Sequence, residues 1–75
     1  MWNKIIDCGK QITPNCRIRQ IIEGKEDIYK VVEVESDQYK IQIVEVNKKP
    51  VKEIFYLTLL PDRIIQFNFE VEIKD

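Results

Sequence analysis

Histidine and alanine are both absent from this chain of 75 residues, and serine occurs only once. Histidine is the usual general base for a cysteine or serine nucleophile, so its absence removes the commonest route to nucleophilic catalysis. The two cysteines, Cys8 and Cys16, are too few to hold a structural zinc ion, which takes four ligands. We therefore expect a protein that is not an enzyme and that has no metal or other cofactor.

The absence of alanine also bears on the fold, because alanine is the best intrinsic helix former. Isoleucine, in contrast, occurs 13 times and lysine nine times. Branched side chains such as that of isoleucine suit the pleated surface of a sheet, and isoleucine and lysine both have AT-rich codons. The composition thus favours strands over long helices and indicates an AT-rich genome.

Long apolar runs and a strong net charge are missing as well. The apolar stretches are only a few residues long, too short for a transmembrane helix, and no secretory leader is visible. The 12 basic and 13 acidic residues leave a net charge of −1. The net charge therefore does not favour nucleic acid or an anionic membrane as the partner. We expect one small cytoplasmic domain with reduced cysteines.

Apolar residues alternate with polar ones from residue 16 onward, a pattern typical of strands that are buried on one face. Polar segments of turn length separate the alternating stretches. At the N-terminus, Trp2, Ile5 and Ile6 have the spacing of one face of a helical turn instead. We predict a short helical turn there, followed by five strands near residues 16–22, 28–35, 38–46, 51–60 and 63–73.

The last of these predicted strands has the most regular pattern. Ile65, Phe67, Phe69, Val71 and Ile73 occupy alternate positions, with polar residues between them. Such strict alternation predicts that these five side chains face the core while their neighbours face water.

The third predicted strand changes phase midway. Tyr39, Ile41 and Ile43 are apolar at odd positions, whereas Val44 and Val46 are apolar at even positions. One extra residue near Ile43 and Val44 would produce this switch, which is what a β-bulge does. The alternative is a strand end that is covered on both faces. A bulge would bend the strand, and small barrels need bent strands to close.

Five consecutive strands joined by short turns fit a small all-β domain. We predict a five-stranded antiparallel barrel of the SH3-like or Sm-like type that carries the N-terminal helical turn, because closure hides the edges of a sheet. The alternative is an open antiparallel meander with the N-terminal segment packed on one face.

Apolar side chains on both faces of two strands are the main indication of function. Tyr29 and Val31 on the second predicted strand, and Ile54 and Tyr56 on the fourth, point away from the other apolar residues of their strands. Either the N-terminal segment covers them, or they form an exposed patch of the kind that binds proteins. Tyrosine suits the centre of an interface. We therefore expect a non-enzymatic module that binds another protein, or a second copy of itself, through these four residues.

A tiny chain without catalytic groups and with AT-rich codons resembles the products that phages and other mobile elements encode to inhibit host proteins, and this is the specific function that we expect. The alternative is a small barrel that binds nucleic acid or a nucleotide. Arg17 and Arg19 share a strand face and would then contact phosphates; under the first hypothesis they lie at the rim of the interface. Binding that is strongly salt-dependent, and that Arg17→Ala or Arg19→Ala weakens, would favour the alternative.

Overall fold

The computed structural model describes residues 1–73 and consists of 49% strand and 14% helix. The prediction of a small domain dominated by an antiparallel sheet is thereby confirmed. In chain order the elements are β1 (Trp2–Lys4), α1 (Cys8–Gln11), β2 (Arg17–Ile22), β3 (Lys25–Val34), β4 (Tyr39–Val46), β5 (Lys49–Pro50), β6 (Tyr56–Leu59), α2 (Pro61–Gln66) and β7 (Glu70–Glu72).

Two tight turns build the centre of the sheet. Glu23 and Gly24 connect β2 to β3 with φ angles of 51° and 78°, and Asn47 and Lys48 connect β4 to β5 with φ angles of 51° and 67°. Two successive residues with positive φ are the mark of a type I′ turn, whose twist matches that of the flanking strands. Glycine and asparagine adopt this conformation at little cost, so the local sequence explains why the chain reverses at these points.

The β-bulge predicted in the third strand is confirmed. Ile28 of β3 pairs with Glu45 of β4, but the next residue, Tyr29, pairs with Ile43, so that Val44 is the extra residue on β4. This insertion explains the change in the apolar pattern, because a bulge returns the following residues to the opposite face.

The last strand of the chain lies inside the sheet. The strand order is β1-β7-β2-β3-β4, with β5 and β6 both paired to the free side of β4, and every pair is antiparallel. Just beyond β7, the backbone N–H of Ile73 donates to the carbonyl oxygen of Met1 at 2.8 Å. β7 therefore holds β1 in the sheet.

The sheet is open, and the prediction of a closed barrel is wrong in this respect. Over residues 1–73 no ladder joins β1 to β5 or β6. The open meander is only partly correct, since β2 to β5 follow chain order whereas β7 returns to lie between β1 and β2. The physical reason is that the two helices cover the apolar face that closure would otherwise hide.

The predicted fourth strand, residues 51–60, is interrupted. β5 and β6 both pair with β4, but the chain uses more residues between Pro50 and Tyr56 than β4 uses between Glu45 and Gln42. The surplus residues leave the ladder, and pairing resumes where the N–H of Ile43 donates to the carbonyl oxygen of Phe55 at 3.0 Å. β6 thus forms an edge strand of only four residues.

The predicted fifth strand, residues 63–73, is wrong over its first half. Residues Pro61–Gln66 form the helix α2, which begins with proline at its first turn and has Asp62 there as well; both are favourable at a helix N-terminus. Asn68, with a φ of 55°, follows the end of the helix. Ile64 is fully buried and Ile65 is exposed, the reverse of the predicted orientation.

The helical turn predicted for Trp2, Ile5 and Ile6 is also misplaced. Trp2 belongs to β1 and pairs with Glu72 of β7, Ile5 is buried, and Ile6 is exposed. The helix begins later, where the Asp7 side chain accepts a hydrogen bond from the backbone N–H of Lys10 and caps α1. Across residues 1–73, neither helix is long and apolar enough to cross a membrane.

The core lies between the sheet and the two helices. We call the side of the sheet that faces α1 and α2 the inner face, and the opposite side the outer face. Helical, loop and inner-face side chains form one buried cluster, which consists of Ile5, Cys8, Ile12, Ile18, Val31, Tyr39, Ile41, Ile64, Phe69 and Val71. The helices cover only the part of the inner face that this cluster occupies, and apolar side chains continue beyond it.

Candidate binding groove and the charged outer face

An open groove of about 540 Å³ lies on the inner face, beside the part that the helices cover. Its lining is mostly apolar and comes from β2, β3, β4, β6, α2 and the segment after α2. The most exposed apolar residues of the lining are Ile22, Leu57 and Phe67, which are 53%, 47% and 45% exposed. Side chains of this size are normally buried, so the groove is an uncovered continuation of the core.

The fold explains why the groove stays open. Ile64 anchors α2 over the core cluster, but the helix ends at Gln66, and Asn68 then turns the chain towards β7. Phe67 is left at the end of the helix, where it lines the groove together with Leu57 of the edge strand. A longer helix in the direction of α2 would be needed to cover this part of the sheet.

Tyr29 lies in the groove with its ring packed against that of Phe69. The ring centroids are 5.9 Å apart and the planes are tilted by 43°, a favourable aromatic geometry. Burial, and after it the Asp27 carboxylate, raise the pKa of the Tyr29 hydroxyl. The phenol therefore remains protonated at neutral pH and can donate a hydrogen bond to a bound molecule.

Arg63 is the charged member of the lining. Its guanidinium carbon lies 5.9 Å from the centroid of the Phe67 ring, within the range of a cation–π contact. Among residues 1–73, no carboxylate lies within 4.0 Å of this guanidinium. The groove thus combines apolar walls with a positive charge that can pair with a carboxylate on a bound molecule.

The structure does not bring the four predicted interface residues together. Tyr29 lines the groove, but Val31 has no exposed surface and belongs to the core, so it cannot contact a partner and its assignment to the interface is corrected. Tyr56 lies on the outer face, where the Lys40 ammonium is 4.7 Å from its ring centroid. Ile54 precedes β6 and is 64% exposed. Alternation shows which side chains of one strand share a face, but it does not show which of the two faces lies on the core.

Arg19, on the outer face, is surrounded by groups that neutralise or cover it. Its Nε donates to Glu70 at 2.8 Å, its Nη1 donates to Glu26 at 2.7 Å, and its guanidinium carbon lies 4.6 Å from the Trp2 ring centroid. Desolvation lowers the pKa of Arg19, but the two carboxylates raise it by more. These contacts connect β1, β7, β2 and β3 across the outer face.

Arg17 is held in the same way, more loosely. Its Nη2 lies 3.2 Å from Glu45 and its Nη1 lies 3.9 Å from Glu72. Arg17 and Arg19 share a face as predicted, but both guanidinium groups form ion pairs with carboxylates of neighbouring strands. The arrangement is that of cross-strand ion pairs in a sheet rather than of two free phosphate ligands.

Both cysteines are free. Cys8 is buried in the core cluster, where its Sγ lies 3.8 Å from the Pro61 carbonyl oxygen, and Cys16 packs against the same cluster. Burial raises the pKa of both thiols, and Asp7 raises that of Cys8 further. The part of the chain that the structure describes holds no cluster of three or more potential metal ligands. The thiols therefore have the surroundings of small buried hydrophobic groups.

Phe67 and Arg63 were not predicted as binding residues, because the alternating pattern places both in a strand. Pro61 followed by Asp62 is a recognised helix start, and this signal could have identified α2. No protein-family model, no curated protein and no solved structure matches this chain. The roles of the groove and of the outer face are therefore inferred from their geometry alone.

Proposed function

We propose that this protein is a non-enzymatic binding module that binds an apolar segment of another protein in the groove on its inner face. The observation that supports this most directly is the exposure of Ile22, Leu57 and Phe67 around a concave surface of about 540 Å³. Contiguous exposed apolar surface of this kind marks protein-interaction sites in small proteins. Tyr29 retains its predicted role as a binding residue, and the groove replaces the predicted patch.

The lining suggests the chemistry of the partner. Apolar side chains would fill the groove against Phe67 and Leu57, and large groups that become fully desolvated carry most of the binding energy of an interface. A carboxylate next to those apolar groups would pair with Arg63, and the Tyr29 hydroxyl would donate a hydrogen bond. We therefore propose a partner segment with several large apolar side chains and one acidic residue beside them.

Selection from a random-peptide display library tests this proposal without knowledge of the natural partner. We expect enrichment of peptides that combine large apolar residues with Asp or Glu. Phe67→Glu should weaken binding of the selected peptides at least about 100-fold, because it removes the large apolar ring from the groove and places a carboxylate beside Arg63, where it competes with the acidic residue of the peptide. Arg63→Gln should weaken only the acidic peptides, by about tenfold.

Ile6→Glu is the matched control, since Ile6 is 76% exposed and does not line the groove. This variant should bind the selected peptides as the wild type does. The proposal fails if no peptide is enriched, or if the Phe67→Glu and Ile6→Glu variants bind the same peptides equally well.

The alternative of nucleic-acid binding draws no support from the outer face. Arg17 and Arg19 each contact two carboxylates, and a phosphate would have to displace them. Under our proposal, Arg17→Ala and Arg19→Ala lower the stability of the fold. In a gel-shift assay with nucleic acid at moderate salt, both variants should behave as the wild type does.

The setting of the protein is part of the same proposal. The free thiols of Cys8 and Cys16 suit a reducing compartment, which supports a cytoplasmic location. The abundance of isoleucine and lysine, which have AT-rich codons, supports an origin in a phage or other mobile element. A groove that binds an apolar segment suits an inhibitor of a host protein. Capture of one host protein by the wild type and by Ile6→Glu, but not by Phe67→Glu, would support this more specific role.

A further inference from the structure

The second feature of the molecule that lacks a partner is the free edge of β6. β6 pairs with β4 on one side, and within residues 1–73 no strand pairs with its other side. An edge strand presents a row of unpaired backbone groups that can extend the sheet into another chain.

The ladder with β4 shows which backbone groups of β6 point outward. The N–H of Ile43 donates to the carbonyl oxygen of Phe55, and the same register continues to the pair Gln42 and Tyr56. Because hydrogen-bonded and non-bonded pairs alternate in an antiparallel ladder, Phe55 and its alternate successors bond to β4. The N–H and C=O groups of Tyr56 and Thr58 therefore point away from the sheet.

The side chains of this edge lack the features that usually prevent pairing. The run from Ile54 to Leu60 contains no charged residue, no proline and no glycine, and such runs pair readily with other strands. β5, on the same side of β4, consists of Lys49 and Pro50, two residue types that protect edges. The contrast indicates that the β6 edge is covered in the working form of the protein.

We propose that a second copy of this chain covers it, with the two β6 strands paired antiparallel about a two-fold axis at Leu57. In this register Tyr56 lies opposite Thr58 of the second copy, and Thr58 lies opposite Tyr56 of the second copy. Every outward N–H and C=O of both strands is then hydrogen-bonded, as expected for an isologous interface. The two sheets become one continuous sheet, and the two Leu57 side chains meet on its inner face.

The charges that flank β6 favour this orientation. Lys52 and Glu53 precede the uncharged run, and Asp62 and Arg63 follow it. Antiparallel pairing with Leu57 on the axis brings the N-terminal flank of one copy towards the C-terminal flank of the other, so that each Lys52 lies on the side of the second copy's Asp62. Among the described residues these four side chains form no ion pair within 4.0 Å, and a parallel arrangement would instead bring like charges together.

This inference goes beyond the proposed function, since it concerns a backbone edge and a second copy. Leu57 lines the groove and also lies at the two-fold axis, so the test variants change Tyr56 and Thr58, which do not line the groove. Size-exclusion chromatography with light scattering tests it directly. We expect the wild type to have twice the chain mass of 9.0 kDa at micromolar concentration and to dissociate on dilution.

Two double variants with charges at the same exposed positions test the register. Tyr56→Glu with Thr58→Glu places like charges opposite each other across the two-fold axis and should weaken the dimer by at least about tenfold. Tyr56→Lys with Thr58→Glu places opposite charges there and should retain the dimer. Lys40 lies beside positions 56 and 58, so a glutamate introduced at either position has a favourable neighbour in the monomer. Circular dichroism that is unchanged from the wild type confirms that both double variants are folded.

Thr58→Pro removes one outward N–H, leaves the bonds to β4 in place, and should yield a monomer. A monomeric wild type at millimolar concentration overturns the proposal, as does equal association of the two double variants or a dimeric Thr58→Pro variant. An edge that binds an added peptide while the chain stays monomeric overturns it too. Phe67→Glu should leave the dimer intact, which separates this test from that of the groove.

Discussion

Ile64 and Ile65 are adjacent residues of α2 with opposite surroundings, which makes them a sensitive test of this part of the fold. Ile64 is fully buried against the core cluster, whereas Ile65 is 39% exposed. If residues 63–73 formed a continuous strand with Ile65 facing the core, as the alternation predicts, the two environments would be exchanged. Replacing each isoleucine separately by alanine therefore distinguishes the helix from the strand.

The expected magnitudes follow from burial. Truncation of a fully buried isoleucine to alanine costs about 2–5 kcal/mol, and alanine recovers a few tenths of a kcal/mol through its higher helix propensity. We expect Ile64→Ala to lower the free energy of unfolding by about 2–4 kcal/mol, out of about 4–11 kcal/mol for a domain of this length. Ile65→Ala should change it by no more than about 0.5 kcal/mol.

Urea denaturation followed by the fluorescence of Trp2 measures both effects. With a slope of about 1 kcal/mol per molar urea for a small domain, Ile64→Ala should lower the midpoint by about 2–4 M, and Ile65→Ala should leave it nearly unchanged. A larger loss for Ile65→Ala than for Ile64→Ala would show that α2 is not a helix, and would remove the wall on which the groove depends.

Three further predictions concern the outer face, the thiols and the overall content of strands. Arg19→Gln loses its ion pairs with Glu26 and Glu70 and should destabilise the protein by about 1–2 kcal/mol in the same urea assay; an unchanged midpoint would show that these contacts do not stabilise the sheet. Because burial raises the pKa of Cys8 and Cys16 above the ordinary value of 9.0, their neutral forms stabilise the folded state below pH 9. This stability should be lost as the pH rises through the raised values, and Ellman's reagent should react at least about tenfold more slowly at pH 8 than in denaturant, with an intact mass that shows neither a disulfide nor bound zinc. Far-UV circular dichroism should show less than about a quarter helix, and a larger helical fraction would contradict the fold.

The hairpins at the centre of the sheet could be predicted because their determinants are local. Gly24 and Asn47 favour the tight turns, and the phase change at Ile43 and Val44 marks the bulge. These signals act within a few residues and do not depend on the rest of the fold.

The ends of the sheet could not be predicted in the same way. Six residues of α2 hold fewer than two helical turns, so their apolar pattern fits either period, and the burial of Ile64 on the core decides between them. β1 pairs with β7 at the other end of the sequence, and periodicity contains no information about such a distant partner. The groove depends on where α2 stops over the sheet, so Phe67 and Arg63 could not be assigned to it from pattern alone.

The position of β7 has a consequence for how the protein is made. Among the described residues, β1 pairs only with β7, yet Glu72 follows its partner Trp2 by 70 residues in the chain. During synthesis Trp2 and the adjacent edge of β2 therefore have no partner until the residues of β7 have emerged from the ribosome. Contacts between residues so far apart in sequence form slowly, because the entropy of closing a long loop is lost before the contact stabilises the chain. In the cell, the yield of native protein therefore depends on the rate of this final closure, relative to aggregation and proteolysis, as well as on the stability reached afterwards.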